Sequence, residues 1–334
     1  YVGLDVHRNH SCLHILDERG QKIHRATVRG GWDRLIEWLR EIEGPLAICY
    51  EASLGCGALY DRLSGLPHVR KLAVAHPKRL RLIFDSKRKN DRVDAAKLAL
   101  LLLLDQVPEA WVPGLEVREW RRLIERRRSL VEKRTRCKNA LRSLLNKRGI
   151  RAPKGLWTKR GRAWLGDLEL RELAALERDE LLEELELLEG QIDRATRRLD
   201  AMGKDHPGVM LLRSIPGVGP RTAEAVVAYI DKPGRFGSAR QVGAYFGLVP
   251  KQEQSGNVNR LGHITREGPA TARKMLIEAA WQAIRRSERC RGYYERVRRG
   301  REERKKIALV ATAHHLLRCM HGMLRSGEAW REAA

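Results

Sequence analysis

Apolar and polar positions alternate in short runs over the first hundred residues, then settle into helical spacing for most of the remaining chain. Segments 1–6, 11–16 and 22–28 are short and partly β-branched, with Arg8-Asn9 and Arg19-Gly20 as turn residues between them, which predicts a three-stranded antiparallel meander. Trp32, Leu35, Ile36 and Leu39 recur at helical spacing and predict a helix over 32–42. Runs 45–50 and 71–75 read as buried strands, with a helix around 57–63 between them. A long helix is predicted over 116–148, where Trp120, Leu123, Leu130, Leu141 and Leu145 form an intermittent apolar seam. Breakers follow at Gly149, Pro153 and Gly155. Residues 168–199 then carry Leu173, Leu176, Leu181, Leu185, Leu188 and Ile192 at three- to five-residue spacing. This predicts a coiled coil or helical hairpin used for oligomerisation, the alternative being a helix packed on its own domain. Asp205-His206-Pro207-Gly208 ends that helix; two Gly-rich loops, 216–220 and 247–268, lie between further helical segments. The stretch 270–325 is helical and basic, interrupted near Arg299-Gly300-Arg301.

Three strands followed by helix, strand, helix and strand is the element order of an RNase H-like α/β sheet, an order that other α/β folds share. The expected organisation is an RNase H-like (RuvC-like) domain over 1–163 that includes the long basic helix, a coiled-coil segment over 164–204, and a mainly α domain over 205–334. Charge narrows the partner. The 334 residues carry 66 Lys and Arg against 42 acids, a net charge of +24, and such a surplus points to a polyanion, because each cation placed on a phosphate releases condensed counterions. The longest apolar run, 98–104, is too short to span a bilayer. The six cysteines show no CxxC and no paired spacing, which predicts free thiols in a reducing cytoplasm and neither a zinc site nor a disulfide scaffold. Tyr1 opens directly in a strand-like segment, so no signal peptide is expected, and a few native residues are expected to precede it.

Four carboxylates stand out. Asp5 sits inside the apolar run Gly3-Leu4-Asp5-Val6, where an acid without a partner is costly. Glu51 ends the apolar run 46–50, and Asp91 and Asp94 lie three apart on one face of a predicted helix start. In an RNase H-like sheet these positions converge at one edge, where they can surround one or two divalent cations. Mg²⁺ suits such oxygen ligands, and two ions about 4 Å apart would activate the attacking oxygen and steady the leaving one. Read singly, Asp91 or Asp94 is equally a helix N-terminal acid complementing the dipole, and a strand-borne acid is equally a salt-bridge partner.

The run Leu211 to Ala223, with Pro216-Gly217-Val218-Gly219 at its centre, has the pattern of a helix-hairpin-helix whose glycines let backbone N–H groups approach a phosphate; a plain Gly-rich turn is the alternative. Ser255-Gly256 stands in a polar loop after Pro250. By spacing alone it reads as a turn, and Ser214 and Ser238 are equal candidates for a nucleophile. His206, His263, His314 and His315 have no metal-ligand spacing with acids, and His314-His315 is expected to pack. Cations interleaved with Tyr293-Tyr294 suit a nucleic-acid strand with base or sugar stacking. The nucleic-acid contacts expected are Lys87, Arg88 and Lys89 beside the acids; Arg126, Arg127, Lys133, Arg134 and Lys138 on the long helix; Gly217, Gly219 and Arg221 at the glycine turn; and Lys251, Arg260, Arg298, Arg299 and Lys305.

The acids in order, within Gly3-Leu4-Asp5-Val6, Tyr50-Glu51-Ala52 and Lys89-Asn90-Asp91-Arg92-Val93-Asp94-Ala95, resemble the Asp-Glu-Asp-Asp set of the DEDD insertion-sequence transposases, the bridge-RNA-guided recombinases with a RuvC-like domain. The resemblance continues through Ser214 to Gly219, Gly247-Leu248-Val249-Pro250, Ser255-Gly256 and Leu261 to Gly268, covering nearly the whole chain. It implies that Asp5, Glu51, Asp91 and Asp94 bind Mg²⁺, with Mn²⁺ as an alternative, and that Ser255 attacks a DNA phosphodiester to give a covalent phosphoserine. It also implies a composite site with acids and serine from different subunits of a dimer or tetramer. The partners implied are donor and target DNA and a structured non-coding bridge RNA whose base pairing chooses the sequence. No membrane is involved, and the setting is the nucleoid of a bacterium or archaeon. A metal-dependent junction resolvase with water as nucleophile is the rival enzyme; a non-catalytic nucleic-acid binder is the rival outside catalysis.

Overall fold

The computed structural model describes residues 1–53, 55–83, 91–255 and 258–332. They divide into two compact units, Tyr1–Leu115 and Glu116–Ala334. The expected nucleic-acid contacts Lys87, Arg88 and Lys89 lie outside the described residues.

In the first unit β1 (Val2–Val6), β2 (His10–Leu16) and β3 (Lys22–Arg29) form the expected antiparallel meander. Then come α1 (Trp32–Arg40), β4 (Leu46–Glu51), α2 (Cys56–Ser64), β5 (Val69–Ala75), α3 (Pro77–Ile83) and α4 (Asp91–Leu103). The sheet order is β3-β2-β1-β4-β5, with β4 parallel to both β1 and β5. This mixed five-stranded sheet is compatible with the RNase H-like expectation. Strand alternation divides its residues between two faces. Val2, Leu4, Ile48 and Tyr50 join Leu35, Leu39, Leu59 and Leu63 of α1 and α2 in one core. Cys49, Ala73 and Ala75 point the other way, onto Leu98 and Leu102 of α4. Gly3, Asp5 and Glu51 share that second face by parity, because Gly3 pairs with Cys49 and Leu4 with Tyr50.

The second unit holds α5 (Leu115–Asn146), α6 (Lys159–Gly166), α7 (Glu172–Gly203), α8 (Pro207–Arg213), α9 (Pro220–Ile230), α10 (Ala239–Tyr245), the hairpin β6 (Pro250–Ser255) and β7 (Val258–Ile264), then α11 (Ala270–Arg286), α12 (Glu288–Arg298) and α13 (Lys305–Ser326). By its packing the long basic helix falls in this unit, since Trp120 and Ile124 are buried in one core with α8, α9, α11 and α13. Further along α5, Leu130, Leu141, Leu144 and Leu145 pack on Leu185, Leu188 and Ile192 of α7. The part of the α7 seam from Leu181 to Ile192 thus packs within its own chain, while Leu173, Leu176 and Leu187 stay exposed. The basic C-terminal stretch breaks at Ser287 as well as after Arg298, since the Ser287 hydroxyl caps α12 by accepting from Cys290 N–H at 3.2 Å.

Glu224 on α9 is 1% exposed, pairs with Arg221 at 2.7 Å and leaves Oε2 without a hydrogen bond among the described residues. Burial pushes its carboxyl up to about 7, against the pull of Arg221. A folded-state value above the unfolded 4.5 means that the unfolded chain releases this proton first as pH rises. Stability therefore falls between about pH 4.5 and 7, by on the order of 3 kcal/mol, and levels off above that window. Melting temperatures of wild type and Glu224→Gln across pH 4.5–8 check this; the variant is expected to show the shallower fall.

Candidate active site

β1 delivers Asp5 to the α4 face, and Gly3, two residues earlier, decides how close α4 comes. A Cβ on Gly3 would lie 2.0 Å from the Ala95 carbonyl oxygen and 2.5 Å from the Ala99 nitrogen. Helix backbone therefore rests directly on strand backbone, with alanines at the crossing. Asp91 and Asp94 occupy the first turn of α4, where acids also complement the helix dipole. The close crossing brings that turn to Asp5.

His7 Nε2 lies 3.3 Å from Asp5 Oδ2 and 3.3 Å from Asp91 Oδ2, and His10 Nε2 lies 3.3 Å from the same Asp91 oxygen. The two imidazoles stack at 4.7 Å between centroids, at 20°, held there by the β1–β2 turn, whose His7 N–H donates to the His10 carbonyl at 3.0 Å. Burial pushes the Asp5 carboxyl above the ordinary carboxylate range; His7 opposes the shift, and the nearby charges of Asp91 and Asp94 add to it. Asp94 also pairs with Lys97 at 3.3 Å. Glu51, exposed at the end of β4, is one residue past the Leu4–Tyr50 pair, so its backbone runs beside that of Asp5. Three carboxylates thus gather at one sheet edge with Glu51 next to them. An all-oxygen set whose like charges raise one member's pKa is chemistry suited to a divalent cation.

His7 and His10 were not among the predicted site residues. The signal was present: His7 follows Asp5 by two, just past the end of β1, and His10 opens β2 after the two-residue turn Arg8-Asn9.

Ser255 ends β6, and its backbone pairs with Val258 across the β6–β7 turn; its side chain lies outside the described residues, as does Gly256. The expected loop over 247–268 is therefore largely a β-hairpin, missed because Lys251-Gln252-Glu253-Gln254 lacks apolar alternation. Its foot is tightly crossed. Gly268, at φ +64°, passes so near Tyr245 that a Cβ would sit 1.9 Å from the carbonyl oxygen. Arg273 donates to the carbonyls of Phe246 at 3.0 Å and Glu267 at 2.6 Å, tying both ends of the segment together.

The other candidates separate clearly. The Ser214 hydroxyl donates to Leu211 O at 2.7 Å and accepts from Trp330 N–H at 3.0 Å, a local structural role. α8 and α9 are joined through the turn at 214–219, where Gly217 has φ +92° and presses on the α11 backbone at Ala283. Arg221 pairs with Asp200 and Glu224, Arg127 donates to Thr196 Oγ1 at 2.7 Å, Lys138 pairs with Glu189 at 3.2 Å, and Arg298 pairs with Glu295 and Glu302. Arg126, Lys133, Lys251, Arg260, Arg299 and Lys305 are exposed. The expected aromatic platform at Tyr293-Tyr294 needs correction. Tyr294 is buried, and a face of Tyr293 is covered by His315 at 4.2 Å, because α12 turns these rings toward α13.

Comparison with known proteins agrees with this architecture. A DEDD-type model of IS110 elements, described as a transposase, matches residues 2–148, and a model described as Transposase IS116/IS110/IS902 family matches residues 209–295. The chain is 30% identical over 290 residues to the transposase for insertion sequence element IS1111A of Coxiella burnetii, covering 85% of this chain and 78% of that protein. It is 27% identical over 297 residues to a probable family 20 transposase of Pseudomonas aeruginosa, covering 85% and 84%. These matches define a transposase, a DNA-cutting and rejoining enzyme. The chain belongs to the IS110 family of DEDD-type transposases.

Proposed function

We propose that this protein is an RNA-guided insertion-sequence transposase that cuts and rejoins donor and target DNA through a phosphoserine at Ser255, with Asp5, Glu51, Asp91 and Asp94 holding Mg²⁺ or Mn²⁺. The observation that carries the metal-dependent reading is the gathering of Asp5, Asp91 and Asp94 around one desolvated carboxyl. When bound, a divalent ion supplies positive charge to the phosphate under attack. The protein's own residues orient and exchange. Ser255 Oγ forms a bond to phosphorus while a phosphorus–oxygen bond to the DNA sugar breaks, and the serine proton ends on the released hydroxyl. Reversal by the hydroxyl of an incoming strand rejoins DNA and restores the serine, so ester energy is conserved and no nucleotide is consumed.

Several observations support the remaining parts. Acids and serine sit in different compact units, which accords with a site shared between subunits. Leu173, Leu176 and Leu187 are exposed at 80%, 55% and 59% along α7, a surface suited to dimer and tetramer contacts. The α8–α9 pair is read as a helix-hairpin-helix for a DNA backbone. The net charge of +24 suits a structured guide RNA as well as two DNA duplexes. Among the described residues no helix is long and apolar enough to cross a membrane; we place a protein that acts on the element's DNA in the cytoplasm, at the nucleoid.

The test is a trapping assay with Mg²⁺, the element's RNA, and donor and target DNA labelled on each strand. A denaturation-resistant protein–DNA adduct is expected in wild type and absent in Ser255→Ala and Asp91→Ala. Cleavage without an adduct, at full rate in Ser255→Ala, would instead establish water as the nucleophile and a resolvase-like reaction.

A further inference from the structure

We propose that His7 and His10 are metal ligands: with Asp91 they form a mixed nitrogen–oxygen site for one borderline divalent ion of the Mn²⁺ to Zn²⁺ class, in preference to Mg²⁺. This deepens, and rests on, the reading that the carboxylates hold a divalent cation. The donor atoms already have the right spacing. His7 Nε2, His10 Nε2 and Asp91 Oδ2 all lie within 4.8 Å of one another, with each histidine nitrogen 3.3 Å from the carboxylate oxygen. Asp5 Oδ2 lies 3.3 Å from His7 Nε2 but outside this group of three. Two ligands bound at roughly 2.1 Å to a tetrahedral ion sit about 3.4 Å apart, so these contacts match the edges of a single coordination sphere.

Hydrogen bonding alone accounts for the arrangement less well. A neutral imidazole nitrogen carries one proton, yet His7 Nε2 is equidistant from two carboxylate oxygens. Two imidazoles converge on one oxygen of Asp91, and 3.3 Å is long for a charge-assisted N–H···O bond, whose usual length is about 2.7–2.9 Å. A cation between His7, His10 and Asp91 lets all three groups present lone pairs at once. The side chains of His7 and His10 are 40% and 38% exposed, so an ion has access from solvent. The donors sit on a rigid frame: the turn fixes the stacked rings, and the α4–β1 crossing fixes both acids. Selectivity follows from ligand chemistry. Mg²⁺ favours oxygen and sheds water reluctantly, whereas imidazole nitrogen favours the later, softer divalent ions.

Mn²⁺ serves as the probe, added to the full-length protein without nucleic acid. Loss of the free-ion EPR signal gives the affinity, and electron spin-echo modulation reports directly bound ¹⁴N. The expected result is saturable binding with ¹⁴N modulation. His7→Gln and His10→Gln should each weaken the modulation and raise the Mn²⁺ Kd by tenfold or more, with Mg²⁺ affinity changed far less and melting temperatures held. Saturable Mn²⁺ binding that is lost in Asp5→Asn but shows no ¹⁴N modulation would overturn the histidine ligation and leave the carboxylate site standing. Modulation that persists in the double histidine variant would also overturn it. No saturable binding, or binding unaffected by Asp5→Asn and Asp91→Asn, would remove both readings.

Discussion

Asp5→Asn lowers DNA strand cleavage by about a thousandfold or more and leaves the melting temperature unchanged or slightly raised. The two halves of this expectation come from one observation. Asp5 lies on an otherwise apolar strand, and burial, Asp91 and Asp94 all disfavour its ionised form. Its folded-state pKa is therefore above the unfolded one, so ionisation near neutral pH costs the native state stability. That cost appears as pH rises through the carboxylate range and is absent below it. Asparagine keeps the shape and removes the charge, so the fold gains or is indifferent while the proposed cation site loses a ligand. Cleavage rates and thermal melts of the same preparation check the result at pH 7. A structural ion pair with His7 makes the opposite forecast, a lower melting temperature with cleavage retained.

Gly3→Val has the largest effect expected on the fold. The new Cβ would meet the Ala95 oxygen at 2.0 Å and the Ala99 nitrogen at 2.5 Å, and both are helix backbone that cannot rotate away. Helix α4 must lift from β1, at a cost of about 3 kcal/mol or more, the upper end for overpacked cores. Lifting α4 also withdraws Asp91 and Asp94 from Asp5, so cleavage should fall further than the loss of folded protein explains. Gly65→Ala is the control: its Cβ comes no nearer than 3.5 Å to other atoms and its φ is −77°, so a change within about 0.5 kcal/mol is expected. Denaturant melts with parallel cleavage assays, corrected for the folded fraction, separate the two consequences.

Much of the first unit was legible because its strands are short, apolar and bounded by turn residues. The meander, the two later buried strands and the helix start at Asp91 were all read from the residue pattern, and Asp5 was conspicuous as an acid where burial forbids one without a partner. The hairpin carrying Ser255 was not legible, since strands exposed on both faces show no period of two. Tyr294 was misjudged for a related reason. Composition says that a segment is basic and aromatic, but only helix packing says which rings and guanidiniums turn inward. The α7 seam was legible as a seam, but not the partner that covers it, because α5 is an equally good apolar surface in the same chain.

By itself, then, the sequence determined the element order of the first unit, the placing of Asp5 within an apolar strand and Glu51 at a strand end, the excess of positive charge and the motif order that places the chain in its family. These are local or additive properties, readable from residue spacing and sums. Tertiary structure alone decided that Gly3 admits helix backbone, that His7 and His10 meet over Asp91, and that Arg127, Lys138 and Arg221 are engaged by acids or hydroxyls of the same unit. Each depends on groups distant in sequence or on the rotation of a turn. Close packing sets such distances to tenths of an ångström, and no pattern of hydrophobic and polar positions encodes them at that scale.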